Sequence, residues 1–397
     1  MINRDSLTRD FFVDPYGTYQ RLRSAPPVLI NSDADLNTSG LWIFSKYQDV
    51  EQVFQLAGSV SKNISLARGS ASASVFDLNM LNMDGQDHLK SRHLVREFFS
   101  NKYLQEVSSA VEAAAVECLT DVADRPTIDL VDDYAEIIPL KAILRVLGLP
   151  ANDAAQVRMW SLAISPSFDS FQSQSPVMRV TRTKIVEEIS GYIRAHMKEP
   201  QALPDRTLLK HLSMQCATGV VEENHAIGAA ILLLFAGHET TISLIGTSLY
   251  LLLSHPGQWE RVCQDASLIP AAIEEVLRFE SPAQRSTFRV AVSPVSIGGQ
   301  LVEPGQQLVA LLGAANRDER VFEKPDQFDI DRKKIRHFSF GAGAHVCLGQ
   351  LLARMEAKIA LEKISKIMPS LRLSSSKPLW RKNSFFRQLQ TLPATWC

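Results

Sequence analysis

The sequence predicts a mainly α-helical fold with a smaller β-rich lobe, and three observations carry that prediction. Between residues 104 and 254, apolar side chains recur at helical spacing in one segment after another, separated by polar or proline-bearing breaks. The middle of residues 222–254, AAILLLFAGHETTISLIGTSLYLLL, is apolar on nearly all sides, as befits a helix buried along its length. Strand-like runs are short, at residues 41–47, 288–301 and 308–312, the last two set around Gly298-Gly299 and the Pro304-Gly305 turn.

Composition narrows the function classes. The chain has 397 residues, 45% of them hydrophobic and 21% charged, with a net charge of −1. A general nucleic-acid binder would usually be basic, so that class is disfavoured. The five cysteines (Cys118, Cys216, Cys263, Cys347, Cys397) are scattered without a CxxC or zinc spacing, which argues against a disulfide scaffold. The first residues, MINRDSLTRDFF, are charged throughout and lack the apolar core of a signal peptide. No run of about 18 apolar residues stands out, so no bilayer span is expected. A soluble cytoplasmic protein is the expectation.

In chain order, residues 15–24 read as a short amphipathic helix, 41–47 as a strand, and the stretch from Asp49 through Phe54 and Leu56 as helix. Residues 58–82 are rich in Ser, Ala, Gly and Asn without a sustained period, the pattern of a long loop. Residues 84–99 begin with Asp84 as a helix cap, and His88 and Arg92, four apart, share a face on which they can clamp one anionic group. Helix follows helix over 104–149, with Pro139 and Pro150 as punctuation; 165–176 is a polar break, and helices resume at 187–197 and 207–214. Within 222–254, Gly237, His238, Glu239, Thr240 and Thr241 bring helix-weakening or polar groups into a core, which points to a kink at a functional site. His238-Glu239 begins like a zinc HExxH, but the residue four beyond His238 is Ile242, so zinc is rejected.

Glu275 and Arg278 lie three apart on one face of the helix at 271–279. Near the C-terminus, residues 337–353, HFSFGAGAHVCLGQLLA, place Cys347 where a glycine-rich loop meets a helix start. Glycines permit positive φ and close approach to a flat ligand, and N–H groups at a helix start favour an anionic sulfur and lower its pKa. The site is built to hold a thiolate; the plainer alternative is a small buried hydrophobe.

Taken together, Phe340, Gly341, Gly343, His345, Cys347 and Gly349, the string AGHETT, the Glu275/Arg278 pair and residues 316–332, NRDERVFEKPDQFDIDR, resemble the cytochrome P450 superfamily of the soluble bacterial type. The resemblance runs from the Trp42 strand to Leu392-Pro393, with the motifs in the family's order. It implies one domain over residues 1–397 of the P450 fold, binding haem b without covalent attachment. Cys347 would be the axial iron ligand and Phe340 would pack on the cysteine side, with Gly341 and Gly349 in the same cofactor-binding loop. His88, Arg92, Arg289 and His345 would meet the propionates. Thr240 would hydrogen-bond dioxygen, Glu239 would relay protons, and Ala236 and Gly237 would leave space for dioxygen. Glu275 and Arg278 would tie their helix to a meander carrying Arg317, Phe322, Pro325, Phe328 and Arg332. Substrate-pocket candidates are Arg68, Val75, Phe76, Leu78, Gln284, Arg285, Ser286, Thr287, Phe385 and Phe386. Pro294 and Gln388 depart from the family pattern.

The function implied is monooxygenation, a hydroxylation or epoxidation of a hydrophobic polyketide, peptide or terpenoid, free or bound to a carrier protein. Electrons would come from a ferredoxin or flavodoxin with its NAD(P)H reductase. The donor would dock on a basic face including Lys90, Arg92, Arg96, Lys102, Lys333, Lys334 and Arg336. A monomer is expected. A hydrogen-peroxide-using peroxygenase and a non-catalytic haem sensor or carrier are the alternatives, and neither needs the Glu239/Thr240 pair.

Overall fold

The computed structural model describes residues 14–30, 39–56, 58–63, 65–66, 74–165, 176–375 and 377–396. Its core is assembled on the helix Glu223–Ser254, 32 residues long. Ile231, Leu234, Ile245, Leu249 and Leu252 on this helix are wholly buried, each stabilising the fold by roughly 1.5–3 kcal/mol relative to exposure. Around it pack Ile137–Leu147, Gln350–Ile367, Ile269–Phe279, Leu208–Ala217 and Pro176–Lys198, while Asn101–Asp121 covers Gln350–Ile367 and Ile137–Leu147. By length and composition this central helix could cross a membrane, which corrects the expectation that no stretch qualifies; 83% of its most apolar window is buried in the protein. Its apolarity is that of a core.

The β-rich part is a five-stranded sheet in the order Val28–Ile30, Leu41–Phe44, Gln307–Ala310, Arg289–Ala291, Val60–Ser61. Leu41–Phe44 and Gln307–Ala310 pair in parallel, with Trp42 opposite Leu308, and both strands are buried throughout. Burial on both faces explains why they read as continuous apolar runs without alternation. Gly298 and Gly299, at φ +57° and +77°, form the two-residue turn joining Val295–Ile297 to Gln300–Val302, a turn that needs positive φ at both positions.

Several boundaries differ from the sequence reading. Tyr47 opens the helix Tyr47–Gln55 instead of ending a strand, and Leu312 opens the short helix Leu312–Ala315. Pro139 does not punctuate: it sits in the first turn of Ile137–Leu147, where its missing N–H costs nothing. A strand, Thr127–Asp129, interrupts the helical run. Among the described residues of 58–82 there is a strand, Val60–Ser61, and two short turns of helix, Val75–Asp77 and Met80–Asn82. Asp84 precedes the helix Gly85–Val95, but its carboxylate does not cap it. It accepts instead from the Ser61 hydroxyl (2.5 Å) and the Lys62 backbone N–H (2.9 Å), because the neighbouring strand supplies nearer donors. Most of the polar break at 165–176 falls outside the described residues.

The helix Ile269–Phe279 carries a charge pair that water does not reach. Arg278 donates to both oxygens of Glu275 at 2.7 Å, and both side chains are 0% exposed. Arg278 also donates to the carbonyls of Asn316 (3.1 Å) and Pro325 (2.9 Å), while Arg332 donates to Glu275 at 3.0 Å. The pair thus ties residues 316–332 to this helix. A buried charge that loses its partner destabilises by about 3–5 kcal/mol. Glu275→Ala should therefore lower the unfolding free energy by about that amount, read by urea denaturation followed by circular dichroism; a loss below about 1 kcal/mol would mean the pair is not sealed from solvent.

Candidate active site

The loop before Gln350–Ile367 is shaped by two glycines. Gly341 and Gly343 have φ of +66° and +72°, and a Cβ on Gly343 would lie 2.6 Å from the Phe54 carbonyl oxygen. The chain turns back so that the Cys347 N–H donates to the Phe340 carbonyl at 2.9 Å. Cys347 itself is only partly buried. Backbone N–H groups of Gly349 and Gln350, and the guanidiniums of Arg92 and Arg354, all favour its thiolate, yet burial pushes the thiol up overall. The predicted lowering is thus corrected: the helix start acts in the expected direction, but desolvation is larger. A cation at the sulfur would reverse that balance, since metal coordination deprotonates a thiol outright.

Beside this loop lies a surplus of positive charge. His88 is 2% exposed and its Nε2 has no hydrogen-bond partner; its ring centroid is 4.1 Å from that of His345. Burial holds His345 down at about 3, reinforced by Lys62, His88, Arg289 and Arg92. Arg289 is pushed down to about 10, chiefly by burial, and lies 4.8 Å over the Phe54 ring. Lys62 is buried, its ammonium donating to the Thr287 hydroxyl and to the Phe288 carbonyl (2.9 Å). The carboxylate that offsets Lys62, His88 and Arg289 is Asp84, already engaged by Ser61. Buried charges are ordinarily paired, and an acceptor-free His88 Nε2 aimed into such a cluster fits a ligand bearing carboxylates. Lys62 was not singled out from sequence. A lysine after a two-residue strand carries no signal until the sheet places it beside Arg289.

On the central helix, Ala236 is exposed and Gly237 and Thr240 partly exposed, although Phe235, His238, Glu239 and Thr241 around them are buried. Ala236 and Thr240 are one turn apart, so one face of an otherwise enclosed helix opens on a space. The Thr240 hydroxyl donates to the Ala236 carbonyl at 3.1 Å, and the α-helix runs unbroken through Gly237–Thr241 where an interruption was expected. Gly237 also packs closely: a Cβ there would come within 2.7 Å of Ile143 Cδ1 on Ile137–Leu147, and the residue is itself partly exposed beside Ala236.

Glu239 is buried, and burial raises its pKa against the lowering effect of Arg381, a Gln388 hydrogen bond and Arg158. Arg158 bridges the buried Glu136 (2.9 Å) and the exposed Asp132 (3.1 Å), so a line of charges leads outward from the acid. His238 Nδ1 is 2.6 Å from the Leu234 carbonyl and Nε2 is 2.8 Å from the Ser161 hydroxyl on the helix Ala154–Ile164.

The remaining sequence candidates separate into two groups. Val75 is partly buried and Phe76 buried, its ring 6.4 Å from Phe235 and 5.3 Å from the Arg182 guanidinium, which pairs with Asp77 at 3.2 Å. Their turn lies tight on the central helix: a Cβ on Gly228 would be 2.3 Å from the Leu78 carbonyl oxygen and 2.5 Å from that of Val75. Phe385 and Phe386 are buried edge to face, 4.8 Å apart. By contrast, the Gln284 amide accepts from Tyr19 (2.8 Å) and donates to Ser281 (2.7 Å), and Arg285 donates to Ser384 (3.1 Å). Both are buried, and the Arg285 guanidinium also lies 5.7 Å over the Phe385 ring. Ser286 pairs with Ala310 through backbone and hydroxyl. Arg68 lies outside the described residues.

Comparison with known proteins is consistent across sequence and fold. A family model described as Cytochrome P450 matches residues 157–366. Cytochrome P450 107B1 of Saccharopolyspora erythraea is 32% identical over 399 residues, 96% of this chain and 95% of that one. The 6-deoxyerythronolide B hydroxylase of the same organism is 31% identical over 410 residues, 98% of each chain. The crystal structure of P450BioI in complex with hexadec-9Z-enoic acid ligated Acyl Carrier Protein superposes with a TM-score of 0.89 at 28% identity, covering 99% of this chain and 100% of that one.

Burial holds the His238 ring neutral, its pKa lowered to about 4, against about 6.5 in an unfolded chain. Between those values the unfolded chain binds more protons, so stability falls as pH is lowered through that window. His238→Gln should flatten this dependence, the wild type losing on the order of 3 kcal/mol more than the variant between about pH 7 and pH 4. Urea titrations at a series of pH values check it, and parallel losses in the two proteins would refute a neutral buried ring.

Proposed function

This chain belongs to the cytochrome P450 family, and from that premise we propose that it inserts one oxygen atom of dioxygen into a C–H or C=C bond of a hydrophobic natural product. It is an enzyme of the cytochrome P450 monooxygenase type; the substrate class, haem contacts and residue roles are the proposal. The observation that carries it is the open face at Ala236 and Thr240, backed by the buried acid Glu239, in a molecule whose glycine-rich loop presents Cys347 beside an unbalanced cationic cluster.

The residues present fit haem b. Cys347 would hold the iron, and His88, Arg92, Arg289 and His345, with Lys62 beside them, would meet the two propionates. When bound, the haem supplies the reductive activation of dioxygen, with thiolate donation favouring O–O cleavage. The protein's own part is proton and water control. Glu239, its pKa raised by burial, would pass protons to the open face, and the buried Glu136 with the partly exposed Arg158 and the exposed Asp132 would connect it with solvent. Thr240 offers a hydroxyl on that face, one turn from Ala236, whose methyl leaves room there. Phe76, Phe385 and Phe386 present apolar bulk that excludes water, which would otherwise take the protons.

Two relatives support the substrate class: one is named for hydroxylating 6-deoxyerythronolide B and one was crystallised with an acyl chain on a carrier protein. A polyketide or acyl substrate, free or carrier-bound, is the reading they favour. Lys90, Arg96, Lys102, Lys333, Lys334 and Arg336 are exposed and suit an acidic ferredoxin or flavodoxin as electron donor to a soluble cytoplasmic monomer.

The reconstituted protein should give the red-shifted ferrous–CO band of a thiolate haem and lose it in Cys347→Ser. With a turned-over substrate, Thr240→Ala should form on the order of 10²-fold less product per NAD(P)H and release peroxide instead. Unchanged coupling would remove Thr240 from proton delivery; undiminished turnover from added hydrogen peroxide without a reductase would favour a peroxygenase.

A further inference from the structure

Behind the cysteine loop, on the side away from the Thr240 face, stands a charged cluster that no step above uses. Glu274, the neighbour of Glu275 on Ile269–Phe279, accepts from Arg354 at two points, Nε at 2.6 Å and Nη2 at 3.1 Å. It also lies 3.2 Å from Nε2 of His337, the residue that opens the loop. The two partners hold the Glu274 carboxyl down at about 2 despite its burial. Arg354 lies two turns beyond Cys347, on the helix Gln350–Ile367, and its guanidinium carbon sits 4.4 Å over the ring of Phe340. Phe340 is the residue whose carbonyl receives the Cys347 N–H. Arg354 is thus oriented by Glu274 on one side and pressed on the loop's aromatic residue on the other, which sets a positive charge against the loop that carries Cys347.

A guanidinium stays charged at every accessible pH, and a fixed charge in a partly buried site is weakly screened. We propose that Arg354, held in place by Glu274, is a positioning residue that sets the charge field at the Cys347 thiolate and thereby the reduction potential of the bound haem. The inference rests on the haem–thiolate reading above. Reduction of the iron adds one negative charge to the site, so a nearby positive charge favours the reduced form and raises the potential, whereas Glu274, of opposite sign and beyond Arg354, moderates that effect. Arg92, on the helix Gly85–Val95, is left untouched in the test.

The two partners should act with opposite sign, which distinguishes a field from a brace. In the full-length haem-loaded protein, spectroelectrochemical titration should give a more negative midpoint potential for Arg354→Met and a more positive one for Glu274→Gln. Arg354→Lys, which keeps the charge and loses the planar fork, should stay near wild type. The ferrous–CO spectrum of each variant shows whether the thiolate bond is intact. If Arg354→Met and Glu274→Gln shift the potential the same way, or neither shifts it while the thiolate band persists, the proposal is overturned. Loss of the thiolate band in both Arg354→Met and Arg354→Lys overturns it too, because Arg354 would then be holding the loop and not tuning the sulfur. Should Glu274→Gln fail to fold, the Met and Lys variants of Arg354 still decide. A wild type without a thiolate band would instead bring down the haem–thiolate reading itself.

Discussion

Everything on the cysteine side of this molecule depends on two charges that solvent does not reach, Glu275 and Arg278. Their mutual bonds would be a poor source of stability alone, since desolvation offsets most of the attraction. What they contribute is position. Arg278 reaches the Asn316 carbonyl; the Asn316 side chain accepts from the Phe338 N–H at 2.7 Å and donates to Ser281 and Ser339 at 2.7 and 2.9 Å; and Ser339 donates to the Leu277 carbonyl at 2.6 Å. A continuous run of hydrogen bonds therefore joins a helix interior to the residue before Phe340. The loop that carries Cys347 is fixed from behind, so its glycines can be strained in front without the sulfur wandering.

A second constraint works in the opposite sense. Around His88, His345, Lys62, Arg92 and Arg289 the protein accumulates positive charge that Asp84 does not balance. Left so, the cluster costs free energy: burial lowers every group in it, and the neighbouring cations add to that at Lys62, His88 and His345. A dianionic ligand bound there would relieve the cost, so binding and stability of this region are coupled.

How much of this was legible depended on whether a signal was local. Cys347 and its glycines could be read because a tight turn leaves its requirement in adjacent positions. The Glu275/Arg278 spacing was visible, though its burial was not. The helices were evident from period, but their limits were less so: Pro139 looks like a terminator in sequence and is harmless in a first turn. Gly237 and Ala236 were indistinguishable as small residues; only the position of Ile143 shows that Gly237 also serves close packing. Gln284 and Arg285 were read from their place just before Arg289, and their bonds to Tyr19 and Ser384, far away in the chain, left no mark in the sequence. Lys62 and Arg354 were silent for the same reason. Each acquires meaning through partners more than 200 or about 80 residues distant, such as Thr287 and Glu274.

The seat of the Val75–Asp77 turn on Gly228 has a consequence of its own. Two carbonyl oxygens press to within van der Waals range of a bare Cα, so the height of that turn above the central helix is set by the absence of one methyl group. Position 228 is thus a spacer, a single carbon's thickness controlling how far Phe76 stands off Phe235. Alanine at 228 would push the Val75–Asp77 turn off the central helix and carry Phe76 with it.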